Sequence, residues 1–297
     1  MKAVERTEYL KSFDGTELFF RCFSPAGITG QESKTQGLIL AVHGFGEHSG
    51  RYADLAAEAC SKNMLFACFD LRGHGKSGPR RGDVENLHAL VLDVIFVVNH
   101  ARTILGLQKN HDLFFGLLGH SFGGLLVTYA ASVMQESCPP VFLSSPCYRI
   151  QQNVPQWKKV AAAALPRIAP LAPVPIDIVP DNISENPDNN AAYVADELNL
   201  VTLSARFGSV FLGSMQDDMV HRAAQSVRTD VTLVYAGGDK LVDPAKTKAV
   251  SSMFPKQRLR CVEIPNSGHE IFNELPQYRD PAVHEFCRWI DARGQIG

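Results

Sequence analysis

The stretch 113–135 constrains this chain more than any other. It contains no Asp, Glu, Lys or Arg and is long enough to cross a bilayer as one helix. Its interior forbids that: Gly116, Gly119, His120, Ser121, Gly123 and Gly124 interrupt it. What remains is an apolar strand at 113–118, a tight turn, and a buried helix from Phe122 to Met134. A strand feeding a helix in this way is half of a βαβ unit, so the rest of the chain has to supply parallel neighbours.

It supplies them. Apolar runs at 38–42, 64–69, 141–144 and 231–236 read as further strands, several uninterrupted as in strands covered on both faces, and 259–264 reads as the last strand. Between them, 51–62 places Tyr52, Leu55, Ala56 and Ala59 on one helical face, and 87–105 repeats Leu87, Leu90, Val91, Val94, Val98, Ala101 and Leu105 at helical spacing. Asp243-Pro244 and Asp280-Pro281 are helix starts, the second opening a closing helix to about residue 292. A hairpin is expected first, 8–13 and 17–23 around Asp14-Gly15, followed by a polar loop at 27–37. The alternation stops at Cys147. Pro155, Pro166, Pro170, Pro173, Pro175 and Pro180 break the next stretch into pieces, with helical patches at 157–165, 191–195 and 200–212. The fold class is therefore α/β: a mostly parallel, doubly wound sheet built from 1–146 and 227–297, with a cap (lid) insertion at 147–226.

Composition removes other classes. Lys plus Arg is 29 against 31 for Asp plus Glu, a net charge of −2, which leaves no basic excess for a nucleic-acid partner. The seven cysteines are odd in number and show no CxxC spacing, so neither a zinc ribbon nor a thioredoxin motif is expected. Several sit in apolar runs, as in Phe66-Ala67-Cys68-Phe69, and read as small buried hydrophobes in a reducing compartment. The first residues, MKAVERTEYLKSFDG, lack the apolar stretch of a secretory signal.

Gly119-His120-Ser121-Phe122-Gly123 is a G-x-S-x-G match in the strand–turn–helix context that such a motif needs to present a serine at a sheet edge. A serine hydroxyl needs a positioned base. In motifs of this kind the acid and then the histidine follow the serine. His221 falls in the insertion and His284 inside the last helix, whereas His269 lies in Asn266-Ser267-Gly268-His269, just past the strand at 259–264. Asp239 follows the strand at 231–236 through two glycines. Asp243 has a competing use as a helix cap, and Asp70 precedes the serine. The candidate triad is Ser121, Asp239 and His269. The candidate oxyanion donors are the backbone N–H groups of Phe122 and, in His43-Gly44-Phe45-Gly46, of Phe45. Neither metal nor cofactor is expected.

The segments HGFGEHSGRY (43–52), DLRGHGKS (70–77), GPRRG (78–82), GHSFGG (119–124), GDKLV (238–242) and Gly268-His269-Glu270 together resemble the monoacylglycerol lipase and lysophospholipase family of the α/β-hydrolase superfamily. The resemblance spans about residues 8 to 292 outside the insertion. It implies the same triad and oxyanion pair. It also implies hydrolysis of lipid esters with one acyl chain, most of all monoacylglycerol, beneath a cap. Phe45 and Phe122 depart from many relatives, which carry a smaller residue at the first position or methionine at the second. Their side chains are expected to narrow the pocket beside the scissile carbonyl.

A short-chain esterase, lysophospholipase, thioesterase or peptidase would use the same triad, and a non-catalytic small-molecule receptor could retain the fold. Arg72, His74, Arg80 and Arg81 read either as an anionic head-group site or as a braced strand-end loop, the latter preferred. Glu47 and Arg51 are expected to brace the oxyanion loop. Trp157, Leu165, Ile168, Leu171, Val174 and Ile176 read equally as a lipid-facing lid or as packing beneath the cap. A cytoplasmic location with transient cap contact at a membrane surface is the corresponding expectation. Oligomeric state is not legible.

Overall fold

The structure is a computed structural model, and it describes residues 3–26, 35–104, 106, 112–151, 164–176 and 178–296. Eight strands form one sheet: β1 (Val4–Lys11), β2 (Glu17–Ser24), β3 (Gly37–Val42), β4 (Met64–Phe69), β5 (Phe114–His120), β6 (Val141–Ser144), β9 (Val231–Ala236) and β10 (Leu259–Ile264). Their spatial order is β1-β2-β4-β3-β5-β6-β9-β10. The β1–β2 and β2–β4 pairs are antiparallel and the others parallel. Every residue of β3, β5, β6 and β9 is buried, which is why these strands read as unbroken apolar runs.

Helices cover both faces. On one, α2 (Leu87–Ile104) and α3 (Phe122–Met134) bury Leu90, Val94, Leu125 and Leu126 against the sheet. On the other, α1 (Ala53–Ser61) and the C-terminal α8 (Pro276–Asp291) contribute Leu55, Ala56, Phe286 and Trp289. Gly116, unusual inside a buried strand, lies where the Trp289 ring presses on β5. A Cβ there would come within 2.3 Å of that ring. By length and composition α2 is apolar enough to cross a membrane. It behaves as a core helix, because Asp93 in its middle is buried and takes a bidentate pair from Arg72 at 2.5 and 2.8 Å.

Between β6 and β9 the chain leaves the sheet. The described part contains a helical stretch at 164–168, the antiparallel pair β7 (Pro173–Pro175) and β8 (Thr202–Ser204), and the helices α4 (Pro187–Ala195), α5 (Ala205–Gly213) and α6 (Asp217–Ser226). Pro187 stands in the first turn of α4, which Asn186 caps.

Several expectations are adjusted. The hairpin starts at Val4, and Phe13 falls in its turn. The helix at 51–62 is a 3₁₀ turn, Ser49–Tyr52, followed by α1. The patch at 200–212 is a strand and then a helix, because Thr202–Ser204 pairs with a segment far away in sequence. The helix α6 was not among the expected patches, although Val220, Ala223 and Ala224 bury one face of it. The patch at 157–165 lies outside the described residues except for 164 and 165, as do Trp157, Pro155 and most of the loop at 27–37. Of the remaining apolar insertion residues, Ile168 and Leu171 face solvent, at 82% and 43% exposure, while Val174 and Ile176 pack on the core. Exposure thus divides the set, with the packing reading met by Val174 and Ile176. All seven cysteines are unpaired.

Candidate active site

β5 ends at His120, and Ser121 follows with φ 52° and ψ −119°, a left-handed backbone that a side-chain-bearing residue seldom adopts. The flanking glycines are enforced by crowding. A Cβ on Gly119 would meet the Gly123 carbonyl oxygen at 2.7 Å, and one on Gly123 would meet those of Val42 and His43 at 2.2 and 2.4 Å. This is the geometry of a nucleophile elbow: a serine held at the C-terminal edge of the sheet, above the free N–H groups of α3.

The Asp239 and His269 side chains meet. His269 Nδ1 lies 2.6 Å from Asp239 Oδ2, and Asp239 Oδ1 accepts from the N–H groups of Leu241 and Val242, both at 2.8 Å. Two loops create the pair. Gly237 and Gly238 turn after β9 and donate to the carbonyls of Ile264 and Ser267, so the acid loop is fastened to the histidine loop that follows β10. The His269 ring sits 4.9 Å from that of His120, the residue before the serine. Among the described residues no hydrogen bond joins Ser121 to His269. In unliganded hydrolases such a contact is commonly long, tightening with substrate. All three side chains are nearly shut off from solvent.

Burial opposes a positive charge on His269, but the Asp239 carboxylate, its hydrogen bond, and then Glu270 and Glu47 override this, and the pKa is raised. With a carboxylate at Nδ1, the imidazole carries its proton there and leaves Nε2 as the accepting atom. A base must be neutral to accept a proton, so activity resting on His269 rises with pH as it deprotonates. The acid limb of kcat/KM is expected at an apparent pKa above the ordinary 6.5 of histidine; a pH–rate profile reads it directly.

The loop after β3 is held from below. Glu47 Oε1 accepts the Gly44 N–H at 2.5 Å and the Tyr52 hydroxyl at 3.0 Å, while Arg51 Nε reaches Glu47 Oε2 at 3.2 Å. Arg51 continues to Glu270 Oε2 at 2.5 Å, beside His269, and to Asn189 of the insertion at 3.2 Å. One buried guanidinium thus ties the loop after β3, the loop after β10 and the insertion together. Burial alone would raise the Glu270 pKa, but the Arg51 charge holds it below the ordinary carboxylate range. The expected bracing by Glu47 and Arg51 is present; Glu270 and Asn189 are partners that the sequence reading missed. Replacing Arg51 with methionine would strand two buried carboxylates and is expected to cost about 3–5 kcal/mol of stability, read by urea denaturation. A cavity lined by Glu47, Arg51, Tyr52, Leu55, His120, Glu270, Phe272 and Asn273 lies along this network and includes neither Ser121 nor His269.

Phe45 and Phe122 sit at the loop and the helix start as expected, and neither backbone N–H is used by another described group. Asp70 is a brace: its carboxylate accepts from the Ser49 N–H and the Lys76 N–H, both at 2.8 Å. Arg72 pairs with Asp93 and Asp14, and Arg81 donates to the carbonyls of Glu197 and Asn199, so these two arginines serve structure. His221 contacts Lys246, and His284 lies within α8. Asp243 caps α7 (Pro244–Ser251) through the Lys246 N–H.

The elbow, the acid–histidine pair and the sheet order define a serine hydrolase of the α/β-hydrolase fold. The chain belongs to the family described as serine aminopeptidase, S33, whose model matches residues 33–276. Among curated proteins it is 29% identical over 250 residues to a monoacylglycerol lipase of Mycolicibacterium smegmatis, covering 83% of this chain and 85% of that one. It is 28% identical over 289 residues to the human monoglyceride lipase, covering 96% and 90%. The crystal structure of a Paleococcus ferrophilus monoacylglycerol lipase superposes with a TM-score of 0.80 at 25% identity, covering 93% of this chain and 99% of that one.

Proposed function

We propose that the chain hydrolyses carboxylic esters with one acyl chain, foremost monoacylglycerol, to a fatty acid and an alcohol. The observation that carries this is the Asp239–His269 pair, whose imidazole packs on His120, the residue before Ser121 with its φ of 52°. The lipase relatives direct the choice of substrate.

In this mechanism Ser121 Oγ attacks the carbonyl carbon while His269 Nε2 takes its proton, and Asp239 steadies the imidazolium. The carbonyl oxygen gathers negative charge between the Phe45 and Phe122 N–H groups. The intermediate collapses as His269 gives its proton to the leaving alcohol oxygen. Water, deprotonated by the same imidazole, then attacks the acyl-enzyme, and the fatty acid leaves as Ser121 regains its proton. Residues 147–226 act as the cap over a core of 1–146 and 227–297. The exposed Ile168 and Leu171 give the cap an apolar edge for brief contact with a lipid surface from the cytoplasmic side.

A panel of monoacyl-, diacyl- and triacylglycerols, lysophospholipids, an acyl thioester and a peptide amide tests the reading. Highest kcat/KM on monoacylglycerol supports it. Preference for the peptide amide or the thioester would replace it with another acyl transfer on the same triad.

A further inference from the structure

Four phenylalanines from three parts of the chain meet above the proposed oxyanion donors. Phe45 lies on the loop after β3, Phe122 opens α3, and Phe207 and Phe211 stand one turn apart on α5 of the insertion. Phe45 and Phe211 stack at 4.1 Å with their planes 25° apart. Phe122 meets Phe211 edge-on at 5.2 Å and Phe45 at 6.1 Å, and Phe207 lies 5.5 Å from Phe45. Phe122 and Phe207 are wholly buried; Phe45 and Phe211 are only partly so.

Their position bears on which half of an ester they face. The leaving oxygen must point to His269, since that ring protonates it. The acyl substituent, on the other side of the carbonyl carbon, is therefore directed away from His269. The His269 ring is packed against His120, whereas the phenylalanine rings gather around the two donor residues themselves. The Phe45–Phe211 stack is the apolar contact that joins the insertion to the Phe45 donor residue. Phe45 is fixed through its own loop, which Glu47 holds, so Phe211 is the ring that can give way.

We infer that Phe211 sets the acyl length this enzyme accepts: stacked on Phe45, it stops the acyl site close to the carbonyl and favours short acyl groups. The inference rests on the ester-hydrolase reading and specifies the acyl half of its substrate: the monoacylglycerol it takes best carries a short acyl group. A long chain requires Phe211 to leave the stack, so its penalty falls on every substrate longer than the stop and on none shorter.

The experiment compares the full chain with Phe211→Ala across p-nitrophenyl acetate, butanoate, octanoate and dodecanoate. In the parent, kcat/KM is expected to fall beyond butanoate. Phe211→Ala is expected to raise kcat/KM on dodecanoate by about tenfold or more, the worth of a few additional buried methylenes, with acetate changed by less than about threefold. Phe211→Leu, which keeps an apolar side chain on α5, gives a smaller shift in the same direction and serves if alanine lowers the yield of folded protein. Leu212→Ala, a neighbour outside the stack, leaves the profile as it is. Equal rates across the series in the parent, or a Phe211 variant that scales every ester by the same factor, overturn the inference and leave the hydrolase reading standing. No hydrolysis of any ester, with no fluorophosphonate labelling of Ser121, overturns both.

Discussion

Ser121→Ala is expected to lower turnover by about 10⁶-fold on every ester the chain hydrolyses, the loss that follows removal of a triad nucleophile. The large factor reflects the elbow. Its backbone presents one side-chain oxygen at the sheet edge, and Gly119 and Gly123 are pressed against neighbouring backbone, so no adjacent residue can shift to replace it. Alanine removes only that oxygen, and the fold is expected to be unchanged by circular dichroism and thermal unfolding. Steady-state kinetics with a fluorophosphonate probe checks the result. A folded Ser121→Ala protein that still turned over ester within about tenfold of the parent would remove Ser121 from the mechanism.

Asp239→Asn is expected to lower kcat by about 10⁴-fold with little change in KM. The asparagine oxygen can keep the place of Oδ1, which accepts from Leu241 and Val242. The amide nitrogen then faces His269 Nδ1, where a carboxylate oxygen stood at 2.6 Å. A donor there favours the tautomer with its proton on Nε2, the atom that has to accept from serine. The sign of the accompanying pH effect follows from the same contact. Asp239 is the foremost of the groups that raise the His269 pKa against burial, so in the variant the residual activity is expected to show its acid limb displaced to lower pH. A limb that stayed in place would separate Asp239 from the histidine's charge.

Much of the fold was readable because the central strands are covered on both faces and the helices bury one stripe. The apolar runs that became β3, β4, β6 and β9 carry their own signal, and Phe122–Met134 is a helix over the expected span. The elbow was readable for a related reason: its glycines answer to local crowding, which leaves a mark in the sequence. The insertion was not. Thr202–Ser204 looks helical in isolation and becomes a strand only by pairing with Pro173–Pro175, a contact no local period reveals. The electrostatic tether was half-legible. Glu47 and Arg51 are four residues apart and suggest a pair, but Glu270 and Asn189 come from distant elements. Glu270 directly follows the candidate base, and its position was the available hint.

In the sheet, Val42 of β3 is in register with Gly119 of β5. The loop after β3 and the elbow therefore emerge at one level from adjacent strands, roughly 4.8 Å apart. No side chain sets that quantity. Substitutions at positions 45 and 122 can change the side chains there while the roots of the two loops keep their separation, because strand pairing fixes it.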